Sequence, residues 1–426
     1  MDARIRLAAI GCGPRARVYT SIAAGMPDRY SVAAAADPVQ LRVEKIRNIS
    51  KNPDFKGFAS DKDILSQDKL ADVMIIATQD NYHYEPCIAA MKKGYDIILE
   101  KPAADTVEKV IEIEQTAKKC GRSVTVCYVL RYTPFYKKVK QIIDSGELGE
   151  IVSISATEGV EPWHQSHSFV RGHWAVTENC TPMIVAKSCH DIDIIHWLTG
   201  KRFANIASFG GQSYFNPQNA PEGSPQRCTD GCQHSGKCLY DARRYAGDKR
   251  GWLELILPGA EQMTNPEVCK WLENSNWGRC VFKCGNTTVD HQVLGFGFDD
   301  GTSGTFTMTA FDYGRRINIY GTKASLYGWA INKLSSDADI LLHHHLDNRT
   351  ERINITASPE EGYNHHGGGD HGLIKDFYDD YTANNGKCLS AISSAVHSHI
   401  AGFAAQEAMV SGQVVNIAQY YNKHKP

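Results

Sequence analysis

A strand that runs into Gly-x-Gly-x-x-Ala and then into a helix leaves a chain few ways to fold. Here Arg4 to Ile10 reads as the strand, "GCGPRA" (Gly11 to Ala16, with Pro14 and Arg15 inside the motif) as the turn, and the following residues as the helix. Gly11 permits the tight bend. Gly13 lets the backbone approach a pyrophosphate resting on the helix N-terminus, and the small Ala16 lets helix and strand pack closely. Asp37 ends the next strand, "SVAAAAD", where it is placed to accept ribose hydroxyls. Its charge would repel a 2′-phosphate, which favours NAD over NADP. Arg15 and Arg17 pull the other way, because an arginine can offset that acid.

Further strand-like runs follow at 71–78 ("ADVMIIAT"), 96–102 ("DIILEKP") and 123–132 ("SVTVCYVLRY"), with helical patterns such as Glu85 to Lys93 and Val107 to Lys119 between them. Such alternation predicts a parallel α/β sheet. This first unit spans 1–130 and a second spans 131–426. In the second, "FANIASFGGQSYF", "TVDHQVLGFGFDDGTSGTFTMTAF", "RRINIYGTKASLYG" and "ADILLHHHL" alternate as strands, with hairpin turns such as Asp-Asp-Gly-Thr. His343, His344 and His345 fall on alternate faces of a strand and make a poor metal trio. "SAVHSHIAGFAAQEAMVSGQ" reads as an amphipathic helix near the domain interface.

A chain of 426 residues that is 42% hydrophobic can bury two cores. A net charge of −2, with no long basic run, excludes nucleic acid and acidic membrane surfaces as partners. The apolar run in "MDARIRLAAIGCG" is too short for a signal peptide, and none approaches the roughly 18 residues of a membrane span. With 13 cysteines and no export signal, the expectation is a cytoplasmic protein with mostly reduced thiols.

The segment "TQDNYHYEPCIAAMKKGYDIILEKP", 78–102, resembles the signature of the Gfo/Idh/MocA oxidoreductases. In that family a Thr-x-x-x-x-His segment, here Thr78 and His83, follows the fourth strand. A Glu-Lys-Pro, here Glu100, Lys101 and Pro102, ends the fifth. "LRYTPFYKKVKQIIDSGELGEIVSI", 130–154, is similar to the family's crossing into its second domain. The resemblance covers most of the chain. It implies an α/β protein with an N-terminal Rossmann domain and a C-terminal α/β domain built on an open, mostly antiparallel sheet. That sheet would shield the nicotinamide, supply most of the substrate site and, through its open face, form a homodimer or homotetramer. The resemblance also implies that Lys101 lies near the reacting carbon and Glu100 nearer the cofactor ribose. When hydride leaves a carbinol carbon, the hydroxyl proton must go to a base. A partly buried lysine beside a cationic ring is pushed toward its neutral form and can accept or relay that proton.

"VAKSCHDID", 185–193, lies in an apolar stretch that reads as one helix from Met183 to about Leu198. Lys187, His190 and Asp191 stand there at i, i+3 and i+4, on one face. The family usually carries Asp-x-x-x-His in this helix, its histidine touching the substrate hydroxyl. Here that histidine is His190, but Ala186 replaces the aspartate. Either a Lys187–His190 pair takes over, or Asp191 does the anchoring. His190 is then the acid/base or hydroxyl donor and Lys187 an orienter or second base. Upstream, "VEPWHQSHSFVRGHW" mixes aromatic faces with polar groups, as a sugar platform would, and makes Trp163, His164, Arg171 and Trp174 candidate substrate contacts. Arg131 and Tyr132 are expected to face the same cleft. In "HHGGGDHG", 365–372, Asp370 can cap the following helix and His371 reach the cleft, the alternative being a plain loop and cap.

Six cysteines fall between 228 and 284, in an insertion (about 216–284) rich in Pro, Gly and Asn. Cys228, Cys232 and Cys238 with one of Cys280 and Cys284 allow a structural zinc site. No pair has the compact C-x-x-C spacing, so free thiols or a disulfide are the alternative. Taken together, the residues and the resemblance point to an NAD-dependent dehydrogenase acting on a secondary alcohol of a sugar, sugar derivative or cyclitol. The same residues can serve an NAD-recycling glycoside hydrolase working through a 3-keto intermediate. A third reading is a non-catalytic NAD-binding sensor, against which the retention of Lys101 and His190 argues.

Overall fold

The alternation of the first 130 residues resolves into six short parallel strands. A computed structural model describes residues 4–330, 339–355, 366–383 and 388–426. In it β1 is Ile5–Ile10, β2 Tyr30–Ala36, β3 Lys56–Phe58, β4 Val73–Ile76, β5 Asp96–Leu99 and β6 Val124–Val126, in the order β3-β2-β1-β4-β5-β6. Every residue of β4 is buried. A sheet covered by helices on both faces needs such continuous apolar strands rather than alternating ones. The strand order reverses between β1 and β4, and a ligand crevice opens beyond the C-terminal ends of strands at such a point. Gly11 and Glu100 each follow directly on a strand of this sheet, β1 and β5.

The second sheet has nine strands. They are β7 (Ile151–Val160), β8 (Phe203–Gly211), β9 (His291–Phe298), β10 (Ser303–Thr309), β11 (Tyr313–Gly321), β12 (Ala324–Ala330), β13 (Ile340–His344), β14 (Thr350–Ile353) and the short β15 (Val415–Asn416). Their order is β14-β13-β12-β11-β7-β10-β9-β8-β15, antiparallel throughout except for β7 with β10. Burial alternates along β9, with Leu294, Phe296 and Phe298 inward. On the open face Phe209 stands opposite Val293 in register, and both are exposed.

Two late helices bind the layers together. Helix Ile392–Ser411 was expected to be amphipathic, but even Ser398 and His399 are buried. The reason is its position: it touches β8, helix Cys189–Thr199 and helix Val107–Cys120, so no long side is left to solvent. Helix Gly369–Ala383 places Leu373, Ile374 and Phe377 in the same core as Leu7 and Tyr19 of the first domain, and Tyr30 donates to the Ile374 carbonyl at 2.7 Å. Sequence-distant segments thus close the first domain.

The insertion packs an apolar cluster, Tyr245, Leu253, Val268 and Leu272, around Trp163 of the preceding 160–174 loop. Cys228, Cys232, Cys238 and Cys280 line a small cavity with Arg171, yet all 13 cysteines are free. Among the described residues no three His, Cys, Asp or Glu side chains converge to hold a metal ion. The segment is instead held by the apolar cluster and by the hydrogen bonds of Arg171 to the Arg279 and Tyr240 carbonyls (2.8 and 2.7 Å). Among the described residues no helix is long and apolar enough to cross a membrane.

Candidate active site

The glycine turn divides its two glycines between fold and ligand. Gly11 sits at φ +82, and a Cβ there would lie 2.6 Å from the Thr78 nitrogen. Around Gly13 no protein atom lies within 4 Å of where a Cβ would stand. Helix Pro14–Ala24 starts at Gly13 with no side-chain cap, which leaves its first N–H groups for something else to satisfy. Thr78 Oγ1 is buried without a hydrogen-bond partner among the described residues. Asp37, at the end of β2, accepts from the Cys12 and Val39 nitrogens, both at 2.8 Å, with the Arg42 guanidinium 3.9 Å away. An open glycine, an uncapped helix start, an unsatisfied hydroxyl and an anchored carboxylate form the donor and acceptor set that a dinucleotide would complete.

Arg15 crosses from this turn to the far end of the chain. Its Nε meets Glu100 at 2.7 Å, and its two terminal nitrogens fork onto Asp370 at 2.5 and 3.1 Å. Tyr19 donates to the same Glu100 oxygen at 2.6 Å. Burial opposes ionisation of Glu100, but the Arg15 and Lys101 charges outweigh it and hold its pKa below the ordinary value. Asp370 behaves alike: burial is overcome by Arg15, then by His366, and its pKa is lowered. Asp370, expected as a helix cap, is instead an ion-pair partner. His83, expected at the cofactor, has both ring nitrogens on main-chain carbonyls, Pro102 at 2.8 Å and Thr78 at 3.2 Å. It braces the Glu-Lys-Pro loop from one side. His399 Nε2 braces it from the other by accepting from the Ala103 nitrogen at 2.9 Å.

The helix expected to run unbroken from Met183 stops at Ala186 and restarts at Cys189. Lys101 Nζ donates to the Ala186 carbonyl at 2.8 Å, using an oxygen of the kind that a helix end leaves unpaired. His190 lies in the first turn of the second segment, between the rings of Tyr128 and His366, each 5.8 Å away. Its pKa is held well below the usual histidine range, by burial first and then by the surrounding positive groups, Lys101 foremost. Lys187 and Asp191 do not share its outlook. Lys187 Nζ is 3.2 Å from Glu158, and Asp191 is 2.7 Å from Arg315, which also reaches Glu158 at 2.6 Å. Glu158 on β7 and Arg315 on β11 face each other in register. Burial pushes the Asp191 pKa up and the Lys187 pKa down. The helix therefore presents His190 to the cleft, while Asp191, expected at the substrate, is a buried strut behind it. Lys187 is paired with Glu158 rather than with His190.

Several predicted substrate contacts are interior. Arg131 makes a two-pronged ion pair with Asp193 (2.7 and 2.6 Å) and donates to the Leu389 carbonyl, and Tyr132 pairs with Ser390. Trp163 packs on Tyr245, with the cations of Arg244 and Lys249 over its ring. Together with Arg171 it belongs to the insertion's core, and this is what the aromatic pattern of 160–174 encoded. Trp174 donates to Asp80 at 3.0 Å and ties the loop to the first domain. His164 packs between the rings of Phe169 and Trp252. Burial lowers its pKa far below the usual value, and Lys187 and Lys101 are among the charges that add to this. His371 has a buried Nδ1 without a partner among the described residues. Sequence reasoning missed His366, whose signal was an aspartate four residues on: His366 Nδ1 lies 3.2 Å from Asp370. His365 of the same motif is outside the described residues.

Comparison with known proteins agrees with this geometry. The family described as an oxidoreductase family with an NAD-binding Rossmann fold matches residues 5–128, and its C-terminal alpha/beta domain matches 140–417. The Bacillus subtilis protein YteT is 23% identical over 387 residues, covering 86% of this chain and 87% of its own. An inositol 2-dehydrogenase/D-chiro-inositol 3-dehydrogenase of Lactiplantibacillus plantarum is 28% identical over 163 residues, 38% of this chain and 43% of its own. Among solved structures, the scyllo-inositol dehydrogenase of Lactobacillus casei with bound NAD(H) and scyllo-inositol shares the fold, with a TM-score of 0.64, 17% identity and coverage of 97% and 99% of the two chains.

Proposed function

The chain belongs to the Gfo/Idh/MocA oxidoreductase family, and from that premise we propose that it is an NAD-dependent dehydrogenase of a secondary alcohol in a sugar, sugar derivative or cyclitol. The observation that carries this reading is the convergence of Lys101, fixed on the Ala186 carbonyl, with His190, on which its charge acts, while Arg15 of the glycine turn holds the neighbouring Glu100. NAD, when bound, supplies the hydride acceptor. Gly11, Gly13, Pro14, Ala16, Asp37 and Thr78 would hold it. The Asp37 carboxylate favours a free 2′-hydroxyl, and Arg15 is engaged by Glu100 and Asp370 instead of being open to a 2′-phosphate.

Lys101 and His190 divide the hydroxyl between them. Lys101 takes or relays its proton, and His190 bonds the same oxygen and orients it. His164, with Lys187 and Lys101 among its charged neighbours, is a further candidate substrate contact, and Trp174 ties its loop to Asp80 of the first domain. Inositol dehydrogenases among the relatives support a cyclitol or a related ring polyol as substrate. The Phe209–Val293 pair on the open sheet face supports assembly into a dimer or tetramer.

The test incubates protein and NAD with myo-inositol, scyllo-inositol, free hexoses and 4-nitrophenyl glycosides, following NADH and nitrophenol together. NADH rising with a free polyol is the expected result. Nitrophenol release without net NADH would move the assignment to a recycling glycosidase. Neither signal, with NAD still bound, would favour a sensor.

A further inference from the structure

Oxidation of an alcohol releases one proton per turnover, and the group nearest the reacting hydroxyl is badly placed to give it to water. His190 is 3% exposed. Burial first, and then the charges of Lys101, His366, Arg315 and Lys187, disfavour an imidazolium there. On one side stands the edge of Tyr128; on the other, 5.8 Å from ring to ring, stands His366. The His366 side chain is 30% exposed, and its Nδ1 faces Asp370, which is fully buried and ionised by the Arg15 fork.

Resting on the dehydrogenase reading, we propose that His366, backed by Asp370, is the proton shuttle between His190 and solvent. The proton that leaves the hydroxyl, relayed by Lys101, first forms an N–H bond at one ring nitrogen of His190. An N–H bond at His190 then breaks as one forms at His366 Nε2, directly or through one water, which returns His190 to its neutral form. The proton then passes to a buffer base, and no electrons move in this step.

The backbone favours a specific role for this imidazole. His366 is a non-glycine residue at φ +62, followed by Gly367 at +62 and Gly368 at +86; the glycines adopt this conformation freely, but for His366 it costs energy and is retained only where the surroundings enforce it. The enforcement is visible. A Cβ on Gly369 would lie 2.3 Å from the Val129 carbonyl, and one on Gly372 2.6 Å from that of Tyr132, so the segment fits against the 129–132 turn only with glycine. The groups facing His366 are Asp370, Arg15, Lys187 and His190. Burial, with Arg15 and Lys187, holds its pKa below the ordinary histidine value although Asp370 opposes them, so that an imidazolium formed there gives its proton up readily.

The experiment measures NADH formation from the polyol that the wild type oxidises, using His366→Ala in a poorly exchanging buffer with increasing imidazole. The expected result is a kcat about 10- to 100-fold lower with KM changed less than about 3-fold, restored in a saturable way by imidazole, while the wild type does not respond. Should His366→Ala not fold, His366→Gln replaces it. It keeps the bond to Asp370 but carries no proton, and should show the same loss in kcat with unchanged KM. An unaffected kcat, or a loss in folded His366→Ala that imidazole does not restore, overturns the shuttle and leaves the dehydrogenase standing. A wild type inactive on every polyol overturns both.

Discussion

Lys101 Nζ donates to the main-chain carbonyl of Ala186 at 2.8 Å, at the position where related enzymes usually place an aspartate. The carbonyl is available because the helix ends there. A peptide dipole thus holds the lysine where a full negative charge would otherwise stand. The anions of this region lie behind the helix: Glu158 pairs with Lys187 and Arg315, and Arg315 with Asp191. Glu158 and Arg315 of the second sheet thus brace the helix that carries His190.

Lys101→Met should keep the length of the side chain and remove the amine. NADH formation should fall about 10²- to 10⁴-fold, the range for losing a positioned acid–base group, while the Kd for NAD measured by titration calorimetry stays within about 3-fold. A near-normal kcat would exclude Lys101 from the proton step.

Glu158→Gln removes one charge from a buried quartet and leaves Lys187 and Arg315 short of an anion. Removing one partner of such a cluster costs about 3–5 kcal/mol, which urea unfolding reads directly. A loss below about 1 kcal/mol would mean that the quartet does not brace β7 and β11.

The two turn glycines should separate stability from binding. Gly11→Ala forces a side chain into φ +82 and against the Thr78 backbone, so it should lower stability by at least about 1–2 kcal/mol. Gly13→Ala meets no protein atom and should leave the melting temperature within a few degrees, yet weaken NAD at least about 10-fold. Equal effects of both on stability would contradict the open cradle.

Acid should destabilise the fold from just below pH 6.5. Burial pushes His399 down to about 4, although the Ala395 carbonyl it donates to opposes this, and its Nε2 must stay unprotonated to accept from Ala103. Unfolded, it titrates near 6.5. Its contribution is therefore complete above pH 6.5 and is lost as pH falls toward 4, about 3 kcal/mol in all. His167, pushed down to about 3 by burial, acts in the same direction. Urea midpoints at pH 7.5, 6 and 5 should fall for the wild type and fall less for His399→Gln. Parallel curves would remove His399 from the acid limb.

What the sequence by itself determined was local or periodic. A glycine turn between strand and helix needs only neighbours to be read, so Gly11, Gly13 and Ala16 sit as expected. Apolar runs between helical patterns predicted the first sheet, and residue-by-residue alternation the second, because side-chain period follows backbone geometry. The tertiary structure decided which polar groups meet. Arg131, Arg171 and Trp163 look like cleft residues in sequence, since nothing local distinguishes a substrate contact from a buried ion pair or a core aromatic. Their partners, Asp193, Tyr240 and Tyr245, lie 62 to 82 residues away. Arg15 reads as part of a phosphate turn, and only folding brings it to Asp370, 355 residues on. The break after Ala186 was equally hidden: an apolar run signals burial but not where a helix must stop to lend a carbonyl to Lys101. Hydrophobic pattern is written along the chain, whereas the pairing of charges is settled by the space left once the sheets have packed.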